Sequence, residues 1–265
     1  MGNLSKELVT VFGIAFIALM TSLGSAMVFF FKNTISNQFK RIFLGFAAGV
    51  MIAASIWSLI MPALEEAELQ GMIGWIPVTI GFMGGGAFLL IIDNLLPHMH
   101  LDSDKPEGLK TRSKRTTLLI TAVTLHNIPE GLAVGLAFGL ALQSGSAIGI
   151  TSALGLAIGI GLQNFPEGAA ISLPLRQEGM TSFKSFYWGS LSGIVEPIAA
   201  IIGVVLASYL SAIMPWFLAF AAGAMIYVVV EELIPEAHLG EHSNTGTIAV
   251  MIGFVIMMIL DVALG

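Results

Sequence analysis

Residues 8–31 read LVTVFGIAFIALMTSLGSAMVFFF, an apolar run without a charge between Glu7 and Lys32. A bilayer core about 30 Å thick needs about 20 apolar residues of helix, so this run is long enough to cross it. Two other stretches are equally clean, 42–64 between Arg41 and Glu65 and 69–92 between Glu68 and Asp93, and a fourth, 243–260, closes just before Asp261. Four more, near 116–141, 147–173, 185–209 and 213–235, carry Glu130, Glu167, Glu196 and the pair Glu231/Glu232 inside otherwise apolar sequence. The expected fold is therefore all-α and membrane-integral: eight transmembrane helices forming one domain over residues 1–265.

Composition excludes several function classes. Apolar residues make up 56% of the chain and charged ones 11%, against roughly 25% charged in soluble domains. The absence of Cys removes disulfides, thiolate metal sites and cysteine nucleophiles together. A net charge of −6, with 11 Lys+Arg confined to short loops and the N-terminal edge, is no footprint for nucleic acid. No G-x-x-x-x-G-K-[ST] motif occurs, so this chain does not pump by hydrolysing ATP on its own. The first apolar run exceeds the 7–15 residues of a signal-peptide core and is expected to stay as span one. Lys32, Lys40 and Arg41, then the five basic residues of loop 97–115, then Arg176 and Lys184 fall on one side of the membrane, and Lys6 falls on the other. The positive-inside rule makes the richer side cytoplasmic, with both termini outside the cytoplasm of the inner cell membrane. Loop 236–246, which has no basic residue, lies on the inner side in this topology.

Two internal similarities organise the chain. His126-Asn127-Ile128-Pro129-Glu130-Gly131 is echoed by Gln163-Asn164-Phe165-Pro166-Glu167-Gly168, and the segment Phe46–Ile52 matches Phe220–Ile226 at six of seven positions. The second match pairs span two with span seven. Spans 1–3 and 6–8 then read as repeats around a central pair 4–5, and an odd number of spans per repeat inverts one copy relative to the other, placing a substrate site near the midplane.

The central pair carries the chemistry. His126 and Glu130 are four residues apart on one helical face, with Asn127 beside them, and Gln163, Asn164 and Glu167 repeat the arrangement. Pro129 and Pro166 open the backbone ladder at that depth, freeing the carbonyls of Leu125 and Leu162 as additional oxygen donors. Gly131 and Gly168 remove bulk where the two helices approach. Glu196-Pro197 supplies a third carboxylate beside a proline. A carboxylate at mid-bilayer costs upward of about 2.5–3.5 kcal/mol, and no Lys or Arg in any span offsets these three, so cations or protons must. One imidazole, three carboxylates and several amide oxygens suit Zn²⁺, Fe²⁺, Mn²⁺ or Cd²⁺, while the lack of thiolates disfavours Cu⁺. Met51 on span two could add a thioether, although a Met on an apolar helix is more often packing.

The doubled motif, in the fourth and fifth of eight spans, resembles that of the ZIP family of zinc/iron-regulated transporters, and in particular its bacterial GufA-like branch. The resemblance extends over essentially the whole chain. It implies transport of divalent metal into the cytosol through a metal site, often binuclear, between spans four and five. His126, Glu130, Gln163 and Glu167 would hold one ion; Asn127, Asn164 and Glu196 would hold the second, with Glu130 and Glu167 bridging. Gln163 stands where many members have a second His. The resemblance also implies an elevator-like movement of spans 1, 4, 5 and 6 against 2, 3, 7 and 8. The expected partners are divalent metal ions and the lipid bilayer, with zinc as substrate, no organic cofactor and no nucleic acid; a homodimer is left open by the sequence.

Toward the inner side, Glu231, Glu232 and Glu236, with His238 and His242 beyond, could form an exit relay, and His98 and His100 sit in an acidic loop that could chelate metal. The rival readings are an intramembrane metalloenzyme, against which the absence of His-Glu-x-x-His speaks, and a metal-gated channel or receptor.

Overall fold

The computed structural model describes residues 5–31, 36–95, 115–177, 179–237 and 244–264. The loop holding His98 and His100, and the segment holding His238 and His242, lie outside the described residues. Eight long apolar helices fill the described chain, and no strand occurs among the described residues. They are α1 (Lys6–Phe29), α2 (Gln38–Leu69), α3 (Trp75–Leu95), α4 (Arg115–Ser144), α5 (Ala147–Gln177), α6 (Ser182–Tyr209), α7 (Ser211–Ala237) and α8 (Thr245–Leu264).

Local chemistry sets the ends. Ser5, Ser36 and Thr181 cap α1, α2 and α6 by accepting the backbone N–H of Leu8, Phe39 and Lys184, which satisfies donors that a helix start leaves open. Several helices overrun their apolar windows. Glu65, Glu66 and Glu68 do not separate spans two and three as their charge suggests, because they stay helical at the end of α2 and the turn falls later, at Gly71 with φ 74°. Span six, read as continuous over 185–209, breaks at Gly193 and Ile194. Pro197 has no N–H to bond the carbonyl of Gly193, and that carbonyl instead accepts the N–H of Glu196 in a tighter turn.

Helix packing reveals the internal symmetry. α1 packs on α5 and α4 on α6, while α2 packs on α8 and α3 on α7. Exchanging spans 1 with 6, 2 with 7, 3 with 8 and 4 with 5 maps each set of pairs onto itself, as an inverted repeat requires. The close approaches obey the same exchange. Gly168 of α5 lies against the carbonyl of Thr21 on α1, and Gly131 of α4 lies against that of Glu196 on α6; Gly49 abuts Val250 of α8, and Gly223 abuts Phe82 of α3. Such glycines let helices approach to backbone contact where lipid supplies no hydrophobic drive between them. Even the irregularities repeat. α2 and α7 each contain a π-helical turn, Ser55–Ile60 and Val229–Leu233, and their first residues are 174 positions apart, as are Phe46 and Phe220.

Candidate metal centre

α4 and α5 stay helical through Pro129 and Pro166 and bring their motifs together in the interior. Asn127, Glu130, Gln163, Asn164 and Glu196 are each 0% exposed, whereas His126 and Glu167 keep 9%. His126 and Glu167 therefore mark the less enclosed edge of the cluster.

The deepest part is organised by Glu196. Its Oε1 accepts from Thr21 Oγ1 at 2.9 Å and from Asn127 Nδ2 at 3.1 Å, and its Oε2 accepts from Asn164 Nδ2 at 2.5 Å. Each asparagine also donates to a backbone carbonyl one turn before the residue it flanks, Asn127 to Ser192 at 3.2 Å and Asn164 to Ile17 at 3.3 Å. An ionised carboxylate only accepts, so it fixes both amides with nitrogen toward Glu196. The two carbonyl oxygens, Asn127 Oδ1 and Asn164 Oδ1, are left buried without a protein partner. Both oxygens of Glu130 and both polar atoms of the neighbouring Gln163 amide likewise lack a regular hydrogen bond. Buried polar groups are rarely left in this condition. Charge adds to the cost, because Glu130 lies within the electrostatic reach of Glu167 and Glu196.

The more open edge leads to α7. His126 Nε2 lies 2.6 Å from Glu232 Oε1, and Glu167 is close enough to feel both. Glu232 and Glu236 are buried, while Glu231 faces outward. Met51 is fully buried within the main apolar core of α2. Among the described residues no three His, Asp or Glu side chains close on one point, and the cluster is instead a mixed set in which amide oxygens outnumber what carboxylate spacing alone would find.

Three contributors escaped the sequence reading. Thr21 is one of several hydroxyls in an apolar span, Tyr227 is a lone phenol in α7, and Asp93 stood only as the charge ending span three; Tyr227 and Asp93 are hydrogen-bonded to each other, and Asp93 lies within reach of His126. Nothing in their local sequence signals the centre, since each arrives from a different helix.

The family model described as "ZIP Zinc transporter" matches residues 99–261. The chain belongs to the ZIP family. Zinc transporter ZIP11 of Homo sapiens is 38% identical over 93% of this chain and 94% of its own length. Zinc transporter GufA of Myxococcus xanthus is 37% identical over 92% and 94%, and zinc transporter ZIPB of Bordetella bronchiseptica is 36% identical over 92% and 78%. These ZIP relatives are named as transporters and not as enzymes, and the chain described above, with eight helices long and apolar enough to cross a membrane, is a multi-pass membrane protein.

Proposed function

We propose that this ZIP protein carries divalent metal, zinc foremost and with Fe²⁺, Mn²⁺ and Cd²⁺ as competitors, into the cytosol without ATP. The observation that carries the reading is Glu130, a carboxylate with 0% exposure and no regular hydrogen bond to either oxygen, with the Gln163 amide beside it and buried, unpartnered amide oxygens around it. A bound cation supplies what all of them lack. In the binuclear form, His126, Glu130, Gln163 and Glu167 hold the first ion. The carbonyls of Asn127 and Asn164 hold the second together with Glu196, whose Oε2 keeps a lone pair beyond its bond to Asn164, and Glu130 and Glu167 bridge. The backbone carbonyls of Leu125 and Leu162 are further oxygen donors, and Met51, although packed in the apolar core, is the thioether that span two could add.

The packing supports elevator movement. Thr21, Asn127, Asn164 and Glu196 tie α1, α4, α5 and α6 into one unit, while α2, α3, α7 and α8 pair among themselves. The contact of His126 with Glu232 crosses from one unit to the other, which suits Glu232 and Glu236 to receive the ion on the inner side. At the opposite end a cavity of about 250 Å³ between α2, α4 and α5, lined in part by Ser58, Glu66, Ser144 and Ser152, offers an entry vestibule. With the basic loops facing the cytoplasm, both termini lie outside.

Uptake into proteoliposomes holding a fluorescent metal indicator tests this reading, with the four metals in competition. Saturable Zn²⁺ entry that the other ions compete for is expected. Absence of uptake, or flux that rises linearly without saturation, rejects the carrier.

A further inference from the structure

Thr21 is 1% exposed, on a helix that contributes no residue to the doubled motif. Its hydroxyl has two acceptors within reach, the Ile17 carbonyl at 3.3 Å and Glu196 Oε1 at 2.9 Å. Other hydroxyls in these helices, among them Thr10, Ser55, Thr124 and Ser208, simply bond back to the carbonyl four residues earlier. A hydroxyl has one hydrogen, and the shorter, charge-assisted bond takes it. Room for this side chain is made by Gly193, where an added methyl would stand 2.7 Å from Thr21 Cβ. Backbone contact of α1 with Gly168 holds Thr21 at that depth.

We infer that Thr21 is a positioning residue of the metal centre: through Glu196 it holds the amides of Asn127 and Asn164 with their carbonyl oxygens turned toward the metal. The inference rests on the metal-transport reading above. Without the Thr21 hydrogen bond, Glu196 Oε1 has Asn127 as its remaining donor, and the carboxylate is free to rotate away from the geometry that serves both asparagines at once. An asparagine that turns over presents NH₂ to the cation. The two positions it affects are hard oxygen donors, so loss of their alignment weakens Mn²⁺ binding more than Cd²⁺ binding.

The test compares Thr21→Val, which keeps the shape and removes the hydroxyl, with Thr21→Ser, which restores it. Purified protein is titrated calorimetrically with Mn²⁺ and with Cd²⁺, and uptake is measured across metal concentration. Thr21→Val is expected to raise the Mn²⁺ Kd and the KM for Mn²⁺ uptake by about 10-fold or more, with a smaller change for Cd²⁺, and Thr21→Ser is expected to restore both. Thr21→Ala carries the same expectation and serves should the valine variant fail to fold. Equal affinities in Thr21→Val and wild type overturn the inference. So does a serine variant as impaired as the valine one, or a loss equal for both metals, either of which marks a packing role. Glu130→Ala is run alongside. If it binds metal normally, the centre itself is misplaced, whereas its failure beside a normal Thr21→Val removes only the role of Thr21.

Discussion

Thr21 and Glu196 occupy equivalent positions in the two inverted halves and are hydrogen-bonded to each other at 2.9 Å. The carbonyl of Thr21 faces Gly168 and that of Glu196 faces Gly131, the matching glycines of the doubled motif. Asn164 bonds the carbonyl four residues before Thr21, and Asn127 bonds the one four residues before Glu196. The pseudo-twofold axis therefore passes between a hydroxyl and a carboxylate. One half supplies the acceptor and the other the donor, and this asymmetry orients both asparagines.

Replacing that acceptor with an isosteric amide should disable the centre without unfolding the bundle. In Glu196→Gln the new NH₂ group faces the NH₂ of Asn127 or that of Asn164, whichever oxygen it replaces, and that asparagine must turn its oxygen away from the metal. Metal affinity is expected to fall by about 10- to 100-fold, as for other residues that orient ligands. Calorimetric titration with Zn²⁺ and Mn²⁺, beside a thermal melt close to that of wild type, checks it.

Glu167→Ala should abolish transport while leaving expression and insertion near normal. Glu167 sits in reach of both His126 and Glu232, at the edge of the cluster that faces α7, and the rest of α5 is apolar enough to insert. Near-normal Zn²⁺ uptake in the variant contradicts this placement.

Changing Gln163 to histidine replaces a neutral oxygen donor with a nitrogen donor opposite His126. Zn²⁺ and Cd²⁺ should bind more tightly relative to Mn²⁺, while turnover falls because a firmly held ion leaves slowly. A Zn²⁺/Mn²⁺ affinity ratio that stays constant or drops removes Gln163 from the ligand set.

The glycine contacts predict where a single methyl is costly. Gly168→Ala drives a side chain into the Thr21 carbonyl, and overpacking of this kind costs about 1–3 kcal/mol, so the melting temperature in detergent should drop together with transport. Gly84→Ala is the control, since its nearest neighbour is Phe220 at 3.9 Å. A drop of equal size in both variants shows that loss of flexibility, rather than helix contact, is responsible.

Movement of an uncompensated divalent ion should respond to voltage. A negative interior supplies about 2.3 kcal/mol per charge per 100 mV, hence about 4.6 for two charges. Proteoliposomes clamped with potassium and valinomycin read this directly. Uptake independent of potential means that counter-charges travel with the metal.

Much of this protein is legible along the chain because lipid imposes a rule that acts residue by residue. Apolar runs of sufficient length give eight spans, and the three carboxylates that interrupt spans four, five and six, which lie within electrostatic reach of one another in the interior, stand out because a charge in an apolar helix is too costly to be incidental. The match of Phe46–Ile52 to Phe220–Ile226 likewise announces the inverted halves, which the paired π-helical turns and the glycine contacts repeat in space. Boundaries were less legible. Glu65, Glu66 and Glu68 extend α2 because charge at a helix end is exposed and costs little, and α6 breaks at Gly193 because a proline four residues later removes a backbone donor.

What only the tertiary structure decided is which groups share each carboxylate. Spacing within a helix places His126 beside Glu130, but hydrogen bonds between helices depend on crossing points that no local pattern encodes. Thr21 reaches Glu196 across 175 positions of sequence, and Glu232 rather than Glu231 meets His126. Adjacent residues on a helix point in different directions, so the register of the π-helical turn of α7 against α4 is what selects the buried one of the pair.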